Sequence, residues 1–204
     1  MGKREHWDLP SGQGAVLLLL GALFVLGGAA GAMFAGLAGG EGAVRLEEYL
    51  NDYFVLVRDS GVPRELWPAL WEQLRYVAAA AVLGVTALGV VGIPLLFCVR
   101  GFLFTFCVGC FCRFFGGAGL IPALVLFGLP ALLWCPALFL AGLQGFSGSR
   151  CLLCRGLGDS RCPLPFTPAY WLRMGLWAGL ALACGGLVYG VVPVLLRAAV
   201  RAVL

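Results

Sequence analysis

Residues 15–37 read AVLLLLGALFVLGGAAGAMFAGL, a stretch without one charged side chain. At about 1.5 Å of rise per residue, a helix of this length crosses a hydrocarbon core of about 30 Å. A helix at the surface of a soluble protein keeps a polar stripe toward water, and this stretch has none. Lipid is therefore its solvent. Lipid offers the backbone no hydrogen-bonding partner, so the chain must satisfy its own N–H and C=O groups, which a helix does internally. A β-barrel would show short alternating strands separated by turns, and the sequence shows none.

The remainder of the chain agrees. Of its 204 residues, 61% are hydrophobic and 12% charged, with a mean hydropathy of +0.96. Soluble domains carry about 25% charged residues. The predicted fold class is an all-α, polytopic membrane helical bundle. It has about five transmembrane helices plus an extracytoplasmic amphipathic helical region, in one integral membrane domain over residues 1–204. Predicted spans cover about 15–37, 76–99, 102–115, 120–143 and 170–196. The third is short, ends at Arg113, and reads as either spanning or re-entrant. Residues 1–14 read as the start of a retained signal anchor, because the apolar stretch outruns a cleavable signal peptide.

Small residues recur at four-residue spacing within these spans. Gly27, Gly31 and Ala35 form one ridge, and Gly175, Gly179 and Ala183 another. Such ridges let a second helix approach closely, although glycine is also simply common in membrane helices. Pro122, Pro130 and Pro136 fall in the fourth span, where each removes a backbone donor and is expected to bend or break the helix.

Polar character concentrates in residues 41–75, where seven acids face four arginines. Leu46, Leu50, Tyr53, Phe54 and Val57 recur at helical spacing opposite Glu47, Glu48, Asn51 and Asp52. Leu66, Leu70, Trp71 and Leu74 make a second stripe beside Trp67. Both segments are amphipathic, suited to packing on the membrane helices or to docking a partner. The docking candidates are Glu47, Glu48, Asp52, Tyr53, Trp67 and Trp71. Lys3, Arg4, Arg100, Arg150, Arg155, Arg161 and Arg173 fall on one side if the third stretch crosses. The positive-inside rule makes that side cytoplasmic. The protein is then a multi-pass cell-membrane protein with its N-terminus cytoplasmic and segment 41–75 and the C-terminus extracytoplasmic. Arg197 and Arg201 sit outside against that rule. Arg100 and Arg113, near predicted span ends, are expected to snorkel to head groups.

Candidate chemistry is sparse. Nine cysteines are present, the sharpest cluster being Cys151, Cys154 and Cys162. That spacing weakly suggests a zinc or iron–sulfur site, but the loop supplies no histidine as a fourth ligand. The lone histidine, His6, has no base or nucleophile partner, no His-Glu-x-x-His motif occurs, and the predicted spans hold no carboxylate for ion coupling. The reading is no enzyme, no cofactor and no nucleic-acid partner, with membrane lipid and possible homo-oligomers as associations.

One ordered set of residues extends this reading. Leu74-Arg75-Tyr76, Gly84, Val91-Gly92-Ile93-Pro94, Arg100-Gly101-Phe102, Phe106 and Gly109 occur in that order. Leu129-Pro130, then Pro136-Ala137-Leu138 and Ala141-Gly142, follow. The set resembles stage II sporulation protein M, and Leu50-Asn51-Asp52-Tyr53-Phe54 sits where that family has an apolar helix. Relatives carry polar residues after the proline matching Pro130, where this chain has Ala131 and Leu132. The cysteine-bearing loop around Cys151 also departs from the family pattern.

The resemblance implies a non-enzymatic membrane scaffold for a peptidoglycan-degrading complex. That complex thins the septal wall during forespore engulfment in endospore formation, and its partners would be stage II sporulation proteins D and P. Gly92, Pro94, Arg100, Gly101, Gly109, Pro130 and Pro136 would shape the bundle. The alternatives are a small-solute transporter or channel built on the proline-broken helix, and a cysteine-based metal or redox sensor.

Overall fold

The computed structural model describes residues 13–37, 44–45, 47–49, 52, 55, 66–158 and 167–203. It contains α1 (Gln13–Leu37), α2 (Leu66–Gly84) and α3 (Gly89–Phe115). A 3-10 turn (Gly116–Gly119) and α4 (Leu120–Ala123) then lead through a π-turn (Leu124–Gly128) into α5 (Leu129–Gly156). The chain ends with α6 (Pro168–Gly190) and α7 (Val192–Val203). No strand occurs among the described residues.

Four helical stretches are long and apolar enough to cross a membrane: Gln13–Leu37, Gly89–Phe115, Leu120–Gly156 and Pro168–Leu196. The protein is thus a helical membrane protein. Its helix boundaries differ from the sequence reading in an informative way. The expected span 76–99 is interrupted at residues 85–88, and the expected boundary between 99 and 102 falls inside α3. Segment 102–115 is the second half of a 27-residue helix and neither a span of its own nor a re-entrant hairpin.

The physical reason lies in the turn. Val85-Thr86-Ala87-Leu88 holds no glycine or proline, yet the chain turns there, held by backbone bonds (Val85 N–H to the Val82 carbonyl at 3.2 Å, Thr86 N–H to the Leu83 carbonyl at 3.1 Å) and by side-chain and tertiary bonds. Thr86 Oγ1 donates to the Leu83 carbonyl at 3.0 Å and Ser149 Oγ donates to the Ala87 carbonyl at 3.2 Å. Gly84 and Gly89 flank the turn, packed against Gly145 and Leu83 respectively. Meanwhile Pro94 lies inside α3, where it removes the bond its N–H would give the Val90 carbonyl, yet the helix continues through it.

The fourth expected span, 120–143, runs on to Gly156, so the expected loop from Gln144 begins three turns later. Its prolines do not break it. Pro130 cannot donate and would crowd the carbonyl four residues back, so the helix widens by one π-turn immediately before it. The last expected span, 170–196, is divided at Val191 into α6 and α7. Residues 66–75, expected in the extracytoplasmic segment, form the first half of α2, whose second half is buried in the bundle at Val77 and Ala80.

In lipid, helices gain little from hiding apolar side chains, so association rests on close van der Waals contact. The α1–α3 pair shows how close. Gly27 and Gly31 lie against the backbone of Cys98 and Phe102, and Gly101 lies against the backbone of Phe24. A Cβ at any of the three would collide with a carbonyl oxygen. The order of these contacts makes α1 and α3 parallel, and Arg113 completes the seam by donating to the Ala35 carbonyl at 2.9 Å and to the Gly36 carbonyl. Arg113 therefore satisfies the otherwise orphaned C-terminal carbonyls of α1 instead of reaching for head groups.

On the other side, α2 is wedged between α5 and α6. The neighbours of Gly84, Gly142, Gly145 and Gly148 run α5 antiparallel to α3. Phe97, Ile93, Leu20 and Leu138 fill the centre. Gln144 fastens α5 to α6, donating to the Tyr170 carbonyl at 2.6 Å and accepting from Trp177 Nε1 at 3.2 Å. One bundle end thus gathers the end of α1, the start of α2 and the end of α3. The opposite end gathers the 85–88 turn, the end of α5 and the start of α6.

The second small-residue ridge behaves differently. Gly175, Gly179, Gly186 and Gly190 have no neighbouring atom where a Cβ would stand. Gly101→Ala should therefore cost about 1–3 kcal/mol, a fall in detergent melting temperature of roughly 3–10 °C. Gly175→Ala should leave melting unchanged or slightly raised; equal effects of the two would refute the backbone seam.

Candidate functional site: an arginine held by aromatic rings inside the bundle

The sequence-derived candidates fall in three separate places. Glu47, Glu48 and Asp52 are exposed, as are Trp67 and Trp71 on the first turns of α2; Tyr53 lies outside the described residues. Trp67 and Trp71 retain 73% and 52% of their free surface and stack on each other, centroids 6.5 Å apart and planes 14° off parallel. They sit one turn apart, the spacing at which helix side chains meet, so two large rings are offered together on one helix face.

Cys151 and Cys154, the metal candidates, lie on the last turns of α5 and are half-buried; Cys162 lies outside the described residues. Among the described residues no three His, Cys, Asp or Glu side chains gather closely enough to hold a metal ion.

The third place is Arg100, with its helix neighbours Gly92, Pro94, Gly101 and Gly109 in α3 and with Pro130 and Pro136 across in α5. The glycines act through contact. Gly101 takes the α1 backbone, Gly109 admits the Ala35 methyl, and Gly92 receives the Leu83 side chain. Pro130 is buried, and its carbonyl accepts from the Cys184 thiol at 3.4 Å, whereas Pro136 is exposed.

Arg100 itself does not snorkel. It lies eleven residues into α3, about 16 Å along the axis from Gly89 and about 22 Å from Phe115. Its guanidinium sits 4.1 Å from the Tyr76 ring centroid and 4.3 Å from that of Trp134. Tyr76 comes from α2, one turn before the buried Ala80. Trp134 comes from α5, where it is 6% exposed and held edge-on by Phe104. The rings, with Val77 and Leu138, line a small cleft around the guanidinium.

The electrostatics extend outward from this cleft. Arg75 also lies over the Tyr76 ring, at 4.8 Å, donates to the Tyr76 hydroxyl at 3.1 Å, and pairs with Glu72 at 2.9 Å. Glu72 is thus engaged by the exposed Arg75. Arg100 has aromatic faces for its charge but, among the described residues, no hydrogen-bond acceptor and no ion pair; its Nε–H is buried without one. Cation–π contact stabilises a desolvated cation by about 2 kcal/mol, yet leaves guanidinium N–H groups unsatisfied.

Sequence reasoning placed Arg100 in the bundle-shaping set but gave it a span-end position, because Gly101 looked like a boundary. Tyr76 and Trp134 were missed as its partners. A usable signal was present: neither residues 73–99 nor residues 101–158 contain an acid, so an arginine in this run needs another kind of neighbour.

Removing a ring tests the arrangement. Trp134→Leu should destabilise the bundle by roughly 2–4 kcal/mol, the lost packing plus the lost cation–π contact. Trp134→Phe should cost less than half as much in the same detergent unfolding titration. Identical losses would show that the ring is only filling space.

Comparison of the chain with protein-family models, with curated proteins and with solved structures finds no match. The functional reading therefore rests on the residues and on their geometry.

Proposed function

We propose that this chain is a non-enzymatic membrane scaffold. It anchors a peptidoglycan-degrading complex that thins the septal wall during forespore engulfment in endospore formation. The support is of two kinds. The ordered residues from Leu74 to Gly142 resemble stage II sporulation protein M, which implies partners of the type of stage II sporulation proteins D and P.

The observation that carries the reading is the way α2 joins an exposed polar surface to an interlocked bundle. Glu47, Glu48 and Asp52 are exposed, and the stacked Trp67 and Trp71 begin α2. From about two to four turns later the same helix is clasped between α5 and α6 at Val77, Ala80 and Gly84. A partner held on the exposed part is thereby fixed to the whole membrane domain. Holding two enzymes on one anchor raises their local concentration at the wall without new chemistry.

Sidedness follows the charges. The bundle end with Arg150, Arg155 and Arg173 is assigned to the cytoplasm, with the N-terminus. In this arrangement α2 crosses as a fifth helix between α1 and α3, and the C-terminus emerges outside the cell membrane with residues 41–65.

Deleting residues 47–59 should abolish co-purification of the wall-degrading partners while membrane abundance and bundle melting stay unchanged. Retained co-purification removes the docking assignment. Separately, alkaline phosphatase fused after Leu204 should be active and a fusion at the N-terminus inactive; the reverse pattern overturns the five-crossing arrangement.

A further inference from the structure

Arg100 is the one cation among the described residues held between rings inside the bundle, and its charge is permanent under any physiological condition. A charged side chain at membrane depth is costly unless it is paired, and such residues mark functional sites. The first question is where the counter-charge comes from. Of the chain's ten acids, none lies in residues 9–40, 73–158 or 160–204. The nearest along the bundle, Glu72, is paired with Arg75, and both are well exposed. Glu72 stands one turn before Tyr76 on α2 but is already engaged by Arg75, so the chain's own membrane helices leave no unengaged carboxylate for Arg100. A second copy of the chain supplies none either.

Depth narrows the source further. Arg100 lies about 16 Å from the nearer end of α3, and its guanidinium is kept at that level by the Tyr76 and Trp134 rings. A lipid phosphate sits at the membrane surface, beyond reach of a guanidinium so held. Access from the side is open. Arg100 is only partly buried, and Leu103, one turn along the same face of α3, is 38% exposed. The rings cover part of the guanidinium, and its buried Nε–H lacks an acceptor among the described residues. A carboxylate presented edge-on would meet that fork in the bidentate manner guanidinium favours.

We propose that Arg100, framed by Tyr76 and Trp134, is an intramembrane docking point for a carboxylate side chain carried on a transmembrane helix of a partner protein. This deepens the scaffold reading and rests on it for its biological setting. The partner is tethered not only by its extracytoplasmic part but also by one buried charge pair within the bilayer. Pairing inside lipid is selective, because a helix without the acid leaves the guanidinium unsatisfied and an acid without the arginine is itself buried unpaired.

The test uses the full-length protein in bicelles of phosphatidylcholine. The probe is a labelled synthetic helix with an apolar span of about 20 residues, bearing one central Glu, with central-Gln and central-Leu helices as controls. Association is read by energy transfer. The Glu helix should bind about tenfold more tightly than either control, R100Q should erase that preference, and R100K should keep only part of it because ammonium lacks the planar fork. Equal binding of the three helices, or a Glu preference that survives R100Q, overturns the proposal. So does a preference that follows added phosphatidylglycerol instead of the central acid.

Because R100Q could unfold, a photo-crosslinker at Leu103 in an otherwise unaltered chain gives an independent reading: capture of the Glu helix over the Gln helix is expected, and equal capture overturns the site. The assay contains no native partner. Its failure strikes the arginine site and leaves the scaffold reading standing, whereas failure of native co-purification with a positive peptide result strikes the scaffold reading alone.

Discussion

Two backbones in direct contact set the terms for this molecule. Where α1 meets α3, Gly27, Gly31 and Gly101 bring main chain against main chain, with no room for even a methyl group. In water, a core of Leu and Phe would hold the helices by expelling solvent. In lipid that driving force is absent, and contact area at short range replaces it. The parallel α1–α3 pair is the frame on which the rest of the bundle is laid. Phe97 and Leu20 project from it toward α5, and Gly142 is the recess that receives the Phe97 ring.

Once the frame is fixed, polar groups have to be dealt with individually, because lipid solvates none of them. The bundle uses short local solutions. Arg113 satisfies the terminal carbonyls of α1, Ser149 holds the 85–88 turn, and Gln144 bonds α6 at a main-chain carbonyl and an indole. The carbonyl of Pro130 receives the Cys184 thiol. These bonds fall at a helix end, at a turn and between neighbouring helices, so each contributes geometry as well as energy. The π-turn before Pro130 belongs to the same economy, since it absorbs a missing donor without opening the helix.

Arg100 stands apart from this pattern. Its charge is met by the faces of Tyr76 and Trp134 and by no acceptor within the described chain. Aromatic faces lower the cost of a buried cation but do not complete its hydrogen bonding. The exposed tryptophan pair and the Tyr76 ring that meets the Arg100 guanidinium both belong to α2, the helix that ends at the 85–88 turn.

Much was legible in the amino acids themselves. The uncharged run 15–37, the scarcity of charge, the absence of acids from 73–158 and the lack of alternating strands point to a helical membrane protein, because lipid admits only helices and closed barrels and nothing here alternates. The ridge of Gly27, Gly31 and Ala35 announced a close helix contact through its spacing alone. What the residues could not announce was which ridge would be used. Gly175 and Gly179 have the same spacing but meet no neighbouring atom where a Cβ would stand, since a ridge needs a partner surface that only the assembled bundle provides. The chain reversal at 85–88 was invisible because it is held by backbone bonds that any residue can make, by Thr86 locally and by Ser149 from about sixty residues away, while the conspicuous Gly92-Ile93-Pro94 and Arg100-Gly101 lie within a continuous helix. Tertiary structure alone decided that Arg100 sits deep among rings, because the register of α2 and α5 against α3 depends on how glycines let three backbones approach, and that is a property of the packed whole.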